Sequence, residues 1–186
     1  MNILLASQSP RRKELLASLG FDFQVVSIDC EEVYPPNLEV EHIAVFLSEL
    51  KANAYKNLSE NDILITADTI VALDKEILGK PKNKSEAKEM LRKLSGQTHQ
   101  VYTGITIRTQ TQSKTLTDVA HVECSNLNDA EIDDYIYRFQ PMDKAGSYGI
   151  QEWLGMAKIT KINGSFYTIM GLPTHLIYEE LKRLVG

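Results

Sequence analysis

An aspartate inside an apolar run and a pair of arginines at the start of a helix are the two features of this sequence best placed to do chemistry. Ile63 to Ala67 is almost wholly apolar. It meets Asp68-Thr69 and then resumes as Ile70-Val71-Ala72-Leu73. Burying a bare carboxylate is too costly. Asp68 is therefore paired, hydrated at a cleft, bound to a cation, or held by a structural hydrogen bond at a strand bend. The second feature is Ser7-Gln8-Ser9-Pro10-Arg11-Arg12-Lys13. Ser9 suits an N-cap and Pro10 the first helical position. Three cations then occupy a first turn whose dipole favours anions, against a local preference of roughly 0.3–1 kcal/mol per charge. Free N–H groups, two arginines and the Ser7 hydroxyl make a ready anion site, the chemistry of phosphate binding. A solvated basic patch is the plainer alternative.

Three further groups belong with these. Glu31 and Glu32 precede Tyr34-Pro35-Pro36 and can hold a hard cation through carboxylate oxygens or simply face solvent in a loop. Lys51 follows Leu47 by one helical turn, so it borders an apolar stripe. It either snorkels to water or aims at a phosphate. Asp143 to Gln151 is small and polar, with an acid, a base and two glycines, and reads as a loop that brings backbone close to a ligand.

The elements that must position these residues follow from pattern. Asn2 to Ala6 reads as a short buried strand, leading into a helix with Leu15, Leu16 and Leu19 inward and Gly20 just past its end. Phe21 to Ile28 reads as a second strand. Glu39 to Asn57 is a helix with Ile43, Leu47, Leu50 and Ala54 on one stripe. Ile63 to Ala67 is a strand buried on both faces, and Val71–Leu73 with Ile77–Leu78 forms a hairpin. Asn83 or Ser85 caps a helix that carries Ala87, Met90, Leu91 and Leu94 inward. Gln97 to Thr109 and Thr115 to Cys124 alternate as two long strands. Asn128 with Glu131 resembles a capping box for a helix bearing Ile132, Tyr135, Ile136 and Phe139. Ala157 to Ile162 reads as a strand, Asn163-Gly164 as a tight turn, and Tyr167 to Met170 as the returning strand. A last amphipathic helix follows Pro173.

Composition sets the outer limits. At 186 residues, with 43% hydrophobic and 24% charged, the chain suits one globular domain over residues 1–186, in one body or two lobes. No apolar run approaches the roughly 20 residues of a membrane span. The opening MNILLASQSPRR reverses the order of a secretory signal, so a cytoplasmic location is expected. Cys30 and Cys124 lie far apart without ligand spacing, and the four histidines are scattered; free thiols and no structural zinc are expected. A net charge of −5 argues against a general nucleic-acid surface, so an anionic substrate must be held by a local cluster of bases.

Seven segments taken together carry a resemblance. They are Ala6 to Arg12, Ala67-Asp68-Thr69, Leu94 to His99, Asp143-Lys144-Ala145-Gly146, Tyr148 to Gln151, Asn163-Gly164-Ser165 and Gly171-Leu172-Pro173. In order and over nearly the whole chain, they resemble the signature set of the Maf family of nucleoside triphosphate pyrophosphatases. Arg11, Thr69 and Gln151, positions associated with base choice, bring the chain closer to the branch acting on dTTP and UTP than to the branch acting on 7-methyl-GTP. Glu152-Trp153 departs from the glycine found there in many members.

The resemblance implies an α/β fold similar to inosine triphosphate pyrophosphatases: a long, curved mixed β-sheet flanked by helices, with two lobes around a deep cleft. It implies hydrolysis between the α- and β-phosphates, with Asp68 accepting a proton from the attacking water. Ser7, Arg11, Arg12, Lys51 and Lys80 are then the phosphate-binding set. Glu32 (or Glu31) and Asp68 are the carboxylates for a divalent cation, Mg²⁺ or Mn²⁺. Arg11, Thr69 and Gln151 are the specificity residues, and a homodimer is expected. Two other readings remain: a housecleaning enzyme for another non-canonical nucleotide, and a nucleotide-binding regulator of septum formation in cell division. The second needs the pocket but not Asp68.

Overall fold

The computed structural model describes residues 1–186. The first strand forms because Ile3, Leu4 and Leu5 are buried without interruption, as a strand covered on both faces requires. β1 (Asn2–Leu5) leads into α1 (Pro10–Ser18) and β2 (Phe23–Val25). Ser9 caps α1, Pro10 takes its first position, and Gly20 leaves it at φ +82°, as the local signals require. Only Phe23–Val25 of the expected Phe21–Ile28 strand pairs, because its partner β1 ends at Leu5; the bond from the Val26 N–H to the Leu5 carbonyl at 3.0 Å closes the ladder, and the chain then turns into the acidic loop.

α2 (Val40–Ala54) is followed by β3 (Asp62–Leu73), which pairs parallel with β1 from Asn2↔Asp62 to Leu5↔Ile65. β3 runs unbroken through Asp68 and Thr69. The polar pair interrupts the hydropathy of the strand but not its backbone. β4 (Glu76–Leu78) returns antiparallel on β3, and α3 (Lys84–Leu94) starts at the Asn83 cap. β5 (Thr98–Arg108), β6 (Ser113–Cys124) and α4 (Asp129–Phe139) follow, α4 with the full Asn128–Glu131 capping box. α5 (Trp153–Lys158), β7 (Ile159–Asn163), α6 (Phe166–Met170) and α7 (Thr174–Val185) complete the chain. The seven-stranded mixed sheet runs β2-β1-β3-β5-β6-β7, with β4 on β3. No helix is long and apolar enough to cross a membrane.

Two expectations fail near the C-terminus. Residues 153–158 are helical, so the strand begins at Ile159 and pairs antiparallel with β6. Phe166–Met170 is a helix in place of a returning strand. Its aromatic and β-branched residues suggest a strand, but the Thr168 N–H closes a turn on the Ser165 carbonyl at 3.2 Å. Tertiary context has overridden propensity here.

The chain divides into two compact units: residues 1–68, 103–118 and 171–186, and residues 69–102 and 119–170. The strands β3, β5 and β6 each contribute to both. In the first unit, α2 is fastened to the sheet by a buried polar ladder. Thr66 Oγ1 donates to the Ser48 carbonyl at 2.6 Å, Ser48 Oγ meets Thr106 Oγ1 at 3.0 Å, and Thr106 Oγ1 meets Thr115 Oγ1 at 3.2 Å. Arg108 caps the far end of α2 through the Ala52 carbonyl at 2.6 Å. Gly104 of β5 lies directly under α2: a Cβ there would meet the Ala44 carbonyl and the Val45 nitrogen at 2.3–2.4 Å.

In the second unit, α3 and α4 bury Leu91, Leu94, Ile132 and Tyr135 in one apolar cluster. His99 is fully buried beside it, with Nε2 2.7 Å from Tyr148 Oη and Nδ1 without a partner. Burial pulls the His99 pKa down to about 4. The unfolded chain, at its ordinary value near 6.5, takes up the proton first. Stability from this residue is therefore complete above pH 6.5 and lost as pH falls toward 4, by about 3 kcal/mol. The urea midpoint of the wild type should fall between pH 7 and pH 4 by more than that of His99→Gln. Equal declines would remove His99 as the cause.

Candidate active site

The candidate chemistry of the first unit is built from three local structures. The first is the turn between β1 and α1. Ser7 is buried, and its Oγ accepts the Ser9 N–H at 3.2 Å and Arg12 Nη1 at 3.4 Å. Arg12 Nε donates to the Gly171 carbonyl at 2.7 Å. The guanidinium is thus held from two sides. Burial lowers its pKa, the Asp68 and Glu32 carboxylates act in the opposite direction, and Arg11 adds to the lowering. No acid stands in the first turn of α1. Ser9 meets the first free N–H groups, taking the Arg12 N–H on its Oγ at 3.5 Å and the Lys13 N–H on its carbonyl at 3.3 Å, and the positive end of the dipole faces no acid of the helix itself.

The second and third structures meet at Lys51. It sits in the last turn of α2, three residues after the Ser48 anchor. Its Nζ lies 3.0 Å from Glu32 Oε1 and 3.1 Å from Asp68 Oδ1. Lys51 and Asp68 side chains are each only 14% exposed, whereas Glu32 is 52% exposed. The ammonium does not snorkel into solvent; it stands where two carboxylates converge. Asp68 is paired, as an acid inside an apolar strand must be, and it retains half-buried access. Of the two adjacent glutamates, both exposed, Glu32 makes the contact with Lys51.

Glu32 and Asp68 carry the hard carboxylate oxygens that suit Mg²⁺ or Mn²⁺, which binds through one or two carboxylates and takes its remaining ligands from phosphate and water; the point on which both converge is held by the Lys51 ammonium, so a cation would sit beside that point and not on it. No group of three or more His, Cys, Asp and Glu side chains gathers anywhere in the chain, so a cation here would not sit in an all-protein cage.

The other predicted residues lie in the second unit. Thr69 is half-buried in β3, Lys80 is exposed just after β4, and Gln151 is exposed in the turn before α5. Sequence reasoning missed what surrounds Gln151. Glu152 accepts a short hydrogen bond from Tyr135 Oη and pairs with Lys144 Nζ at 3.2 Å. The available signal was the base Lys144 within Asp143-Lys144-Ala145-Gly146, eight residues before the acid at 152. The Gly171 carbonyl that anchors Arg12 was also missed, although Gly171-Leu172-Pro173 is among the segments that carry the resemblance.

A family model described as Maf-like protein matches residues 2–184. A dTTP/UTP pyrophosphatase of Porphyromonas gingivalis is 48% identical over 97% of this chain and 92% of its own length. The dTTP/UTP pyrophosphatase of Bacteroides thetaiotaomicron is 49% identical over 98% of this chain and 95% of its own length. The one from Flavobacterium johnsoniae is 47% identical over the same shares. Among solved structures, the Staphylococcus aureus Ham1 protein aligns with a TM-score of 0.44 and 20% identity, covering 67% of this chain and 72% of that one. That likeness is partial.

Proposed function

The chain belongs to the Maf family, and from that membership we propose that it hydrolyses dTTP and UTP to the nucleoside monophosphate and pyrophosphate. The observation that carries the proposal is the bridge of Lys51 between Glu32 and Asp68, within electrostatic range of the Arg12 guanidinium. Two acids on one lysine, beside a helix start with two arginines, is an arrangement for handling a polyphosphate and its counter-ion.

In this reading the N-terminal end of α1, Ser7, Arg11 and Arg12 bind phosphate oxygens, with Lys51 and Lys80 supplying further positive charge. Each charge-assisted hydrogen bond contributes roughly 1.5–3 kcal/mol. Asp68 orients a water and takes its proton as the water oxygen bonds to phosphorus. The bridging P–O bond breaks, and pyrophosphate leaves with the electron pair. Glu32 and Asp68 would hold the divalent cation, which supplies charge neutralisation on the phosphate oxygens. Thr69 and Gln151 select the base. A Gln amide presents both a donor and an acceptor, which suits the N3–H and carbonyl edge of uracil or thymine. A site that pairs those groups rejects cytosine by leaving them unsatisfied.

The test is pyrophosphate release from dTTP, UTP, CTP, GTP and 5-methyl-UTP, with Mg²⁺ or Mn²⁺ and after chelation. Release from dTTP and UTP should dominate, stop on chelation and restart on adding the metal. Gln151→Ala should erase the preference for UTP over CTP. Nucleotide binding without release in the wild type would overturn the enzymatic reading. An unchanged UTP-to-CTP ratio in Gln151→Ala would remove that residue from base selection.

A further inference from the structure

The turn that carries Gln151 is closed on itself. The Gly149 N–H donates to Tyr135 Oη at 3.0 Å, the same hydroxyl donates to a Glu152 carboxylate oxygen, and the Glu152 N–H returns to the Gly149 carbonyl at 3.0 Å. Gln151 sits inside this ring with its side chain in solvent, between the buried Ile150 and the half-buried Glu152. Gly149 leaves the Glu152 carboxylate its place, since a Cβ there would meet the carboxyl carbon at 2.8 Å and its oxygens at 3.0 Å and the carboxylate would have to shift. The second Glu152 oxygen is held by Lys144 Nζ at 3.2 Å, and Lys144 also reaches Asp143 at 2.8 Å. Tyr135 is itself fixed, fully buried in α4 with its ring stacked on Phe139 at 5.0 Å. Burial and the neighbouring carboxylate both raise the Tyr135 pKa, so its hydroxyl keeps the proton it donates.

A half-buried carboxylate with two partners is elaborate machinery for a surface turn whose remaining side chain points outward. It makes sense if the exposed residue must stand in one place before its ligand arrives, since an amide ordered beforehand loses less freedom on binding. We propose that Glu152 is the positioning residue for Gln151. Held by Tyr135 and Lys144, it locks the 149–152 turn so that the Gln151 amide meets the pyrimidine edge in a fixed orientation. The inference rests on the base-selecting role given to Gln151 above.

Glu152→Gln keeps the shape but offers an NH₂ where one of the two acceptors stood. Tyr135→Phe keeps the stacked ring and removes both of its hydrogen bonds. Each variant should lower kcat/KM for UTP about tenfold, mainly through KM, and leave CTP nearly unchanged. Placed on Gln151→Ala, neither should alter the UTP-to-CTP ratio further. A merely structural role would lower turnover of both nucleotides together and track the melting temperature. Should Glu152→Gln fail to fold, Tyr135→Phe carries the test. Wild-type selectivity that persists in the folded variants overturns the positioning role. A wild type that does not hydrolyse UTP, or does not prefer it to CTP, overturns the underlying reading instead, and the wild-type measurement alone reveals it.

Discussion

Asp68→Asn should fold as the wild type does and lose at least about a hundredfold in kcat on UTP, within the 10²–10⁴ range that general-base catalysis supplies. The structure explains why folding survives. The amide oxygen introduced by the substitution would still accept from Lys51, whose Nζ keeps Glu32 at 3.0 Å, and β3 runs through this position with regular pairing on either side. The amide cannot take a proton from water, however, and the cluster loses one of its two carboxylates. The measurement is kcat at saturating UTP and Mg²⁺, with the melting temperature alongside. A variant that keeps most of the wild-type turnover would show that another group accepts the proton.

The second large effect is expected at Lys51. Lys51→Met preserves the apolar stem along α2 and deletes the charge between Glu32 and Asp68. Loss of one charge-assisted contact corresponds to about 10–100-fold in kcat/KM. Because Lys51 touches Asp68 directly at 3.1 Å, the two substitutions should not add. In a double-mutant cycle, Lys51→Met should cost much less on the Asp68→Asn background than on the wild type. Full additivity would mean that Lys51 meets the substrate independently of Asp68. A Lys51→Met enzyme with unchanged kcat/KM would remove the lysine from the site.

What could be read in the chain beforehand was what its local chemistry determines. Ser9, Pro10 and Gly20 bound α1, and Asn128 with Glu131 opens α4, because a cap is satisfied within one turn of its own residue. The acid in the apolar run announced itself because burial makes an unpaired carboxylate untenable. Its partner did not, since Lys51 lies 17 residues away, and only the seating of α2 on the sheet joins them. The same limit hid the tie between Tyr135 and Glu152, on separate elements. Phe166–Met170 misled because its strand-forming residues were outvoted by a turn that the backbone closes at Ser165. Motif resemblance supplied the roles proposed for Arg11, Thr69 and Gln151; residue type alone gave no more than candidate chemistry.

The glycine beneath α2 has a consequence for how this chain can evolve. At position 104 only the residue lacking a Cβ lets the Ala44–Val45 backbone lie where it does, and that contact, with the Ser48 ladder, sets how deep Lys51 reaches. The depth of a candidate phosphate-binding lysine is thus inherited from a position far along the chain that need never meet the nucleotide. Drift can rewrite the outer surface of α2 with little penalty, but position 104 is closed to it. A lineage that lost this glycine would have to regain it, or relocate the helix and its lysine together, before the ancestral chemistry returned.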